Sequence, residues 1–429
     1  MRVIQTLLLL ILIGVGIYKY VDDHILGAYW RMHCNDFKHI YLGAELLVKA
    51  GNPYDVKQLF LAAKYHGIEN LNPYVYPPFT GLVLGFLTLF PFEKAAHIWF
   101  ALNHLFFWLS IIIIFIGLRL PLRLGFVALA LIMAGTMFPL YRTLTAGQLN
   151  CALLLLVALI WWAYSQDKDI WTGLLIGFAT LFKLAPGIFF LFLLWKRRWR
   201  TFGFAVLFLL IFQFFSMSVT NPAVHMDFFP VAQAMSYGHS TWEVFGMDFY
   251  RDPFNQSFNS FFHHIFTVNP HTIPWVELAP KFADIFTYIV SLALLMIGLF
   301  QTFPVKREST KVGEDLEFSL FTFLMLLLPS LFWDHYLVVL IFPIFVLSRF
   351  LTLKRYVEWI LFVAAIIIIC IPIPFGARLF SRGAGILFMS LKLWATMILF
   401  GLTVYYISNI RKTRITVKLD YRAWEEEHS

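Results

Sequence analysis

Asn35-Asp36-Phe37 stands within a polar stretch, Val21 to Pro78, that follows a single apolar run and precedes a near-continuous series of others. A carboxylate held beside one membrane face suits a general base that takes a proton from a sugar or lipid hydroxyl, its affinity for that proton raised by apolar neighbours. Asp36 is the leading candidate. The same residue types favour a helix N-cap, so a purely structural role stands beside the catalytic one. Lys183 lies near the middle of the apolar run 170–195, where an insertion scale puts the cost of a charge at roughly 2.5–3.5 kcal/mol. Pro186 removes a helical hydrogen bond to the carbonyl of Phe182 and predicts a kink. A polar cavity or a buried ion pair would account for both, with a substrate phosphate or a structural acid as the partner of Lys183.

Other polar groups recur at span boundaries. Arg378 and Arg382 fall in the connection 372–383, where bidentate contact to a phosphate or to anionic headgroups would use them. Trp333-Asp334-His335-Tyr336 sets an acid beside an imidazole, a pair able to orient a hydroxyl or phosphate oxygen, or to sit at a helix start as surface groups. Asn255-Gln256-Ser257, with Asn259, His263 and His264, is an amide-rich cluster of the kind that lines sugar pockets; it is also formally a glycosylation sequon. No spacing fits a metal site, no glycine fingerprint for nucleotides occurs, and no cofactor is expected.

These residues need elements to hold them, and composition says which. Of 429 residues 60% are hydrophobic and 14% charged, with a mean hydropathy of +0.74, which excludes a soluble globular surface. The expected fold is an all-α polytopic membrane protein with about twelve spans of roughly 20 residues each. They are 3–20, 79–92, 95–118, 122–140, 147–164, 170–195, 201–219, 281–303, 317–331, 335–352, 356–371 and 384–408. The run 79–92 is short enough to be re-entrant. The chain reads as a single membrane domain, 1–429. It has a first outer loop, 21–78, a second outer lobe, 220–280, and a cytoplasmic tail, 409–429, ending Trp424-Glu425-Glu426-Glu427. Both lobes are rich in aromatic residues and are expected to hug the membrane. Apolar positions at helical spacing predict two interfacial amphipathic helices, Phe37 to Ala50 and Val56 to Tyr65, joined at Gly51-Asn52-Pro53.

The formal net charge of +8 reflects positive-inside bias rather than nucleic-acid binding. Lys196-Arg197-Arg198-Trp199-Arg200, Lys306-Arg307, Lys354-Arg355 and the tail with Arg411, Lys412 and Arg414 fall on one side of the membrane, and Arg119 and Arg123 run against the pattern. Both termini are then cytoplasmic, and the first run is read as an uncleaved span rather than a secretory signal. Cys34, Cys151 and Cys370 are too few and too scattered for a disulfide framework.

Taken in order, several motifs resemble glycosyltransferase family 87, a branch of the multispan GT-C superfamily. They are Asn35-Asp36-Phe37 with Tyr41 and Ala44, Gly51-Asn52-Pro53-Tyr54-Asp55, Tyr76-Pro77-Pro78-Phe79, and Ala95-Ala96 with Trp99 and Asn103. Gly147-Gln148-Leu149-Asn150, Gly173 and Gly177 leading to Lys183 and Pro186, Asn255-Gln256-Ser257, and Trp333-Asp334-His335-Tyr336 follow. The resemblance runs over roughly residues 30–350. Where the family tends to place a Gly and an Arg after Asn-Gln-Ser, this chain has Asn259 and His263-His264.

The resemblance implies an inverting transferase that moves a hexose, typically mannose, from a polyprenyl-phosphate donor to a lipid or glycan acceptor at the non-cytoplasmic face of the plasma (inner) membrane. It implies Asp36 as the base and no metal; beside it, His335, Asp334, Lys183, Arg378, Arg382, Asn255, Gln256, Gln148, Asn150 and Tyr76 are the expected substrate-binding residues, Arg378 and Arg382 lying beyond the stretch that resembles the family. Membrane lipids are the remaining partners. The rival class is a multispan transporter or flippase, for which a broken helix at Lys183 would also be apt. A lipid-linked glycan ligase or polymerase is a third reading.

Overall fold

The computed structural model describes residues 2–239, 248–303, 311–351 and 355–412. Lys306-Arg307, Lys354, Arg414 and the acidic end of the tail lie outside the described residues. The fold is all-helical; among the described residues the β structure is confined to a bridge between Asn255 and Trp333.

Among the described residues, five helices are long and apolar enough to cross a membrane: Ile4–Trp30, Phe92–Gly117, Trp199–Val219, Pro280–Gln301 and Leu391–Ile410. A sixth arises if Leu124–Thr136 and Phe138–Ala146, bent by 48°, count as one span. The other expected spans are shorter or interrupted helices, so length and composition support five or six spans among the described residues where hydropathy gave about twelve candidates. The run 79–92 is the short Pro78–Leu84 helix with one tighter turn after it. The run 335–352 is likewise split, Asp334–Leu340 being a tight helix that leads into Ile341–Ser348.

The run 170–195 breaks at Lys183, which is extended (φ −159°, ψ 127°) between the Asp169–Phe182 and Ile188–Trp195 helices. Pro186 lacks the N–H that would have bonded the carbonyl of Phe182. Thr80 donates its hydroxyl to that carbonyl at 2.8 Å instead, which satisfies a polar group freed at the break.

The first helix also runs on past its expected end. Tyr20–Gly27 continues it in wider π turns and Ala28–Trp30 completes it, so the polar loop begins only after Trp30. Its buried polar side chains find partners across the bundle. Trp108 donates to the Tyr20 hydroxyl at 2.7 Å, and that hydroxyl also lies 2.7 Å from His104 Nδ1.

In the first lobe the helices are Asn35–Val48 and Val56–Tyr65, joined at the expected turn. Asn52 accepts from the N–H of Tyr54 at 3.0 Å to shape that turn, and Asp55 caps the second helix by accepting from Lys57 N–H at 2.9 Å. The Asn35–Val48 helix is not interfacial as expected. Phe37, His39, Ile40, Tyr41, Leu42, Gly43, Ala44, Glu45 and Leu47 are all buried, which wraps it in protein nearly all round.

At one end of the bundle Lys196 pairs with Glu317 at 2.6 Å, Arg349 with Asp315 at 2.6 Å, and Arg198 with Glu314 at 3.5 Å. These cations therefore meet acids early in the Lys311–Leu327 helix, where the helix dipole favours negative charge.

Candidate functional site

The turn that carries Asp36 is fixed from below by the end of the Phe138–Ala146 helix. The N–H groups of His33 and Cys34 both donate to the Thr145 carbonyl, at 3.1 and 3.0 Å. Gly147 then takes a left-handed conformation (φ +71°), and a Cβ there would lie 2.5 Å from the Cβ of Phe37. Only glycine allows this approach. Trp99 stacks on Phe37 with centroids 6.3 Å apart and donates its indole N–H to the Gly147 carbonyl at 2.9 Å. These contacts tie Asn35-Asp36-Phe37, Trp99 and Gly147-Gln148 into one support.

Asp36 occupies the first turn of its helix, but Cys34 is the N-cap, left-handed at φ 51° and without a side-chain cap bond. The structural reading of Asp36 as a cap is therefore excluded. Among the described residues its carboxylate has no hydrogen bond or ion pair, and it lines a cavity of about 480 Å³. That volume lies in the range of small-molecule sites.

The same cavity is lined by Tyr76, Gln148, Lys183 and His335, four of the ten expected binding residues, and by Tyr336 beside them. Tyr76 donates its hydroxyl to Gln148 Oε1 at 3.2 Å. Lys183 donates to Asn150 Oδ1 at 3.0 Å and its Nζ lies 3.8 Å from the centroid of the Tyr336 ring. It is buried and, among the described residues, makes no ion pair; an amide and a π face hold it. Neither ring nitrogen of buried His335 has a hydrogen-bond partner among the described residues, although the ring faces the cavity wall and stacks on Trp333.

Several expected binding residues are placed elsewhere. Asn150 stands behind the wall, donating to the His335 carbonyl at 3.2 Å while it holds Lys183. Asn255 and Gln256 are buried scaffold. Asn255 donates to the carbonyls of Tyr250 and Ser330 at 3.2 Å and accepts from Phe332 N–H at 2.8 Å. Gln256 donates to the Pro253 and Met389 carbonyls and accepts from Lys392 N–H. Arg378 and Arg382 are exposed on the connection that packs on the second lobe, and neither lines the cavity.

Asp334 is fully buried beneath the site rather than open to substrate. Its carboxylate lies 3.0 Å from Arg142 and 3.7 Å from Lys392. Two cations share one anion, so the trio keeps a net positive charge, and Arg142 is the member that reaches the cavity. Its guanidinium also stacks on Phe254 at 4.6 Å. Arg142 and Lys392 were missed in the sequence. Lys392 carried the same cue as Lys183, a lysine inside an apolar run; Arg142 sits in the connection between two runs and carried none. Asp252 and His39 also line the cavity and were not singled out. Burial lowers the His39 imidazole below its ordinary value and raises the Asp252 carboxyl above its own.

The cavity lining is mixed: it includes polar His33, Asn35, Asp36 and Asn72 and apolar Leu184, Ala185, Ala232, Met235, Met325 and Leu326.

A model of glycosyltransferase family 87 matches residues 74–330, more than half of the chain. The chain belongs to glycosyltransferase family 87. No curated protein and no solved structure matches it. As a family 87 glycosyltransferase it moves a sugar from a donor to an acceptor, which sets the transporter reading aside. The matched residues include Arg142, Gln148, Lys183 and Asp252 and stop short of Asp36 on one side and His335 on the other. The case for those two rests on the cavity.

Proposed function

We propose that this transferase moves a hexose, mannose being the expected one, from a polyprenyl-phosphate carrier to a hydroxyl of a lipid or glycan acceptor, at the non-cytoplasmic face of the membrane. Asp36 is the base. It takes the proton of the acceptor hydroxyl as that oxygen attacks the anomeric carbon; the bond from that carbon to the phosphate oxygen breaks, and the electron pair leaves with the phosphate. The configuration inverts. The polyprenyl phosphate is a stable anion, so the leaving group needs positive charge rather than a proton. Arg142 and Lys183 provide it, and His335 orients a phosphate oxygen. Arg142 is well suited to this, because Asp334 and Phe254 hold its guanidinium in place before the donor arrives.

The observation that carries the reading is an unpaired carboxylate sharing one cavity with two basic side chains, in a lining that also holds apolar residues suited to an isoprenoid chain. The test is transfer of labelled mannose from a polyprenyl-phosphate donor by purified Asp36→Asn protein. Turnover is expected to fall by about three orders of magnitude or more, the upper part of what a positioned base contributes, while the unfolding temperature stays within a degree or two of wild type. A well-folded Asp36→Asn enzyme with near-normal turnover rules out the base.

A further inference from the structure

Asp252 is a second carboxylate on the cavity wall, and the mechanism gives it no task. One of its oxygens accepts from Phe254 N–H at 2.8 Å. The backbone around it is locked to the opposite segment: Gln256 N–H donates to the Phe332 carbonyl at 2.7 Å and Asp334 N–H to the Phe254 carbonyl at 3.2 Å. The side chain is thus rigidly set and only partly exposed, with one oxygen committed to the main chain. An ionised carboxylate only accepts hydrogen bonds, and a hexose offers several hydroxyl donors. The phosphate end of a donor would repel Asp252, so the group it suits is the neutral sugar ring.

We propose that the Asp252 carboxylate binds hydroxyls of the donor hexose and sets which hexose is transferred. This rests on the polyprenyl-phosphate-sugar reading given above. A half-buried carboxylate discriminates strongly, because an epimer that withdraws a hydroxyl leaves the charge without its partner. The raised proton affinity that burial gives this carboxyl is consistent with such a group awaiting donors. The competing role is counter-charge to Arg142, which lines the same cavity.

Two probes separate these roles: the sugar-bearing donor and the same polyprenyl phosphate without a sugar. For Asp252→Asn, and Asp252→Glu as a second variant, the KM for the sugar-bearing donor is expected to rise about tenfold or more, the loss of a charged hydrogen bond. The preference between epimeric hexoses should narrow. Inhibition by the sugar-free carrier should stay within about twofold of wild type, which also shows that the variant is folded. An unchanged donor KM, or a loss of sugar-free carrier binding as large as that of the donor, overturns the proposal. Thermal stabilisation of the wild-type protein by the two probes tests the donor class by itself. Absence of stabilisation by either probe sinks that class and this assignment with it; stabilisation by both, with unaltered Asp252 variants, sinks the assignment alone.

Discussion

One carboxylate, Asp334, sits between Arg142 at 3.0 Å and Lys392 at 3.7 Å with no exposure to solvent. Neutralising it leaves the buried Lys392 and the cavity-lining Arg142 without their shared counter-charge. Removing one partner of a buried charge set costs about 3–5 kcal/mol. Asp334→Asn is therefore expected to lower the unfolding temperature in detergent, and to raise the donor KM because Arg142 is no longer held; differential scanning fluorimetry and initial rates check the two effects. Unlike the base, this carboxylate acts through its neighbour. Asp36 could be singled out by residue type and by its place after the first apolar run. Asp334 was read as facing substrate, since linear order could not show that Arg142 and Lys392 converge on it from distant segments. The same blindness turned Asn255 and Gln256 into pocket residues, although their amides are spent on main-chain groups.

The helices of the first lobe were legible because apolar residues recur every three or four positions and Gly51-Asn52-Pro53 marks the turn. Burial was not legible: a helix with an apolar stripe looks the same whether it lies on lipid or is enclosed by the 74–90 segment. Enclosure has a consequence for His39, stacked on Tyr76 at 5.9 Å with neither ring nitrogen bonded among the described residues. Burial depresses its proton affinity below the unfolded value, as it does less completely for His33. For a group shifted in this direction the unfolded chain binds the extra proton. Stability is then fully present above the unfolded value, about 6.5, and is lost as pH falls below it toward the folded value. The lobe should loosen as pH falls below about 6.5. His39→Phe should flatten that part of the curve, read as unfolding temperature against pH, and an identical slope in the variant would assign the acid sensitivity elsewhere.

Across the whole molecule, hydropathy located almost every apolar run but could not see where runs break, since Lys183 and Pro186 change mean hydropathy little and backbone geometry a great deal. The proposed sidedness rests on positive-inside bias, Lys196, Arg198 and Arg349 being expected at the cytoplasmic face and the lobe that carries Asp36 at the other. Cys34, Cys151 and Cys370 are buried, so an introduced thiol can report on its own surroundings. With the lobe outside the cell, Lys64→Cys should react with a membrane-impermeant maleimide in intact cells, and Arg200→Cys only after permeabilisation. The opposite pattern would place sugar transfer in the cytosol.

The first helix has a further bearing on how a long lipid could be served. Its 27 residues from Ile4 to Trp30 amount to about 40 Å at 1.5 Å per residue, against a hydrocarbon layer of about 30 Å. On the proposed sidedness, that surplus of about two turns would act as a pedestal, setting the residues after Trp30 at the depth where a phosphate emerges from its isoprenoid anchor, so that the carrier would not need to be pulled out of the bilayer to react.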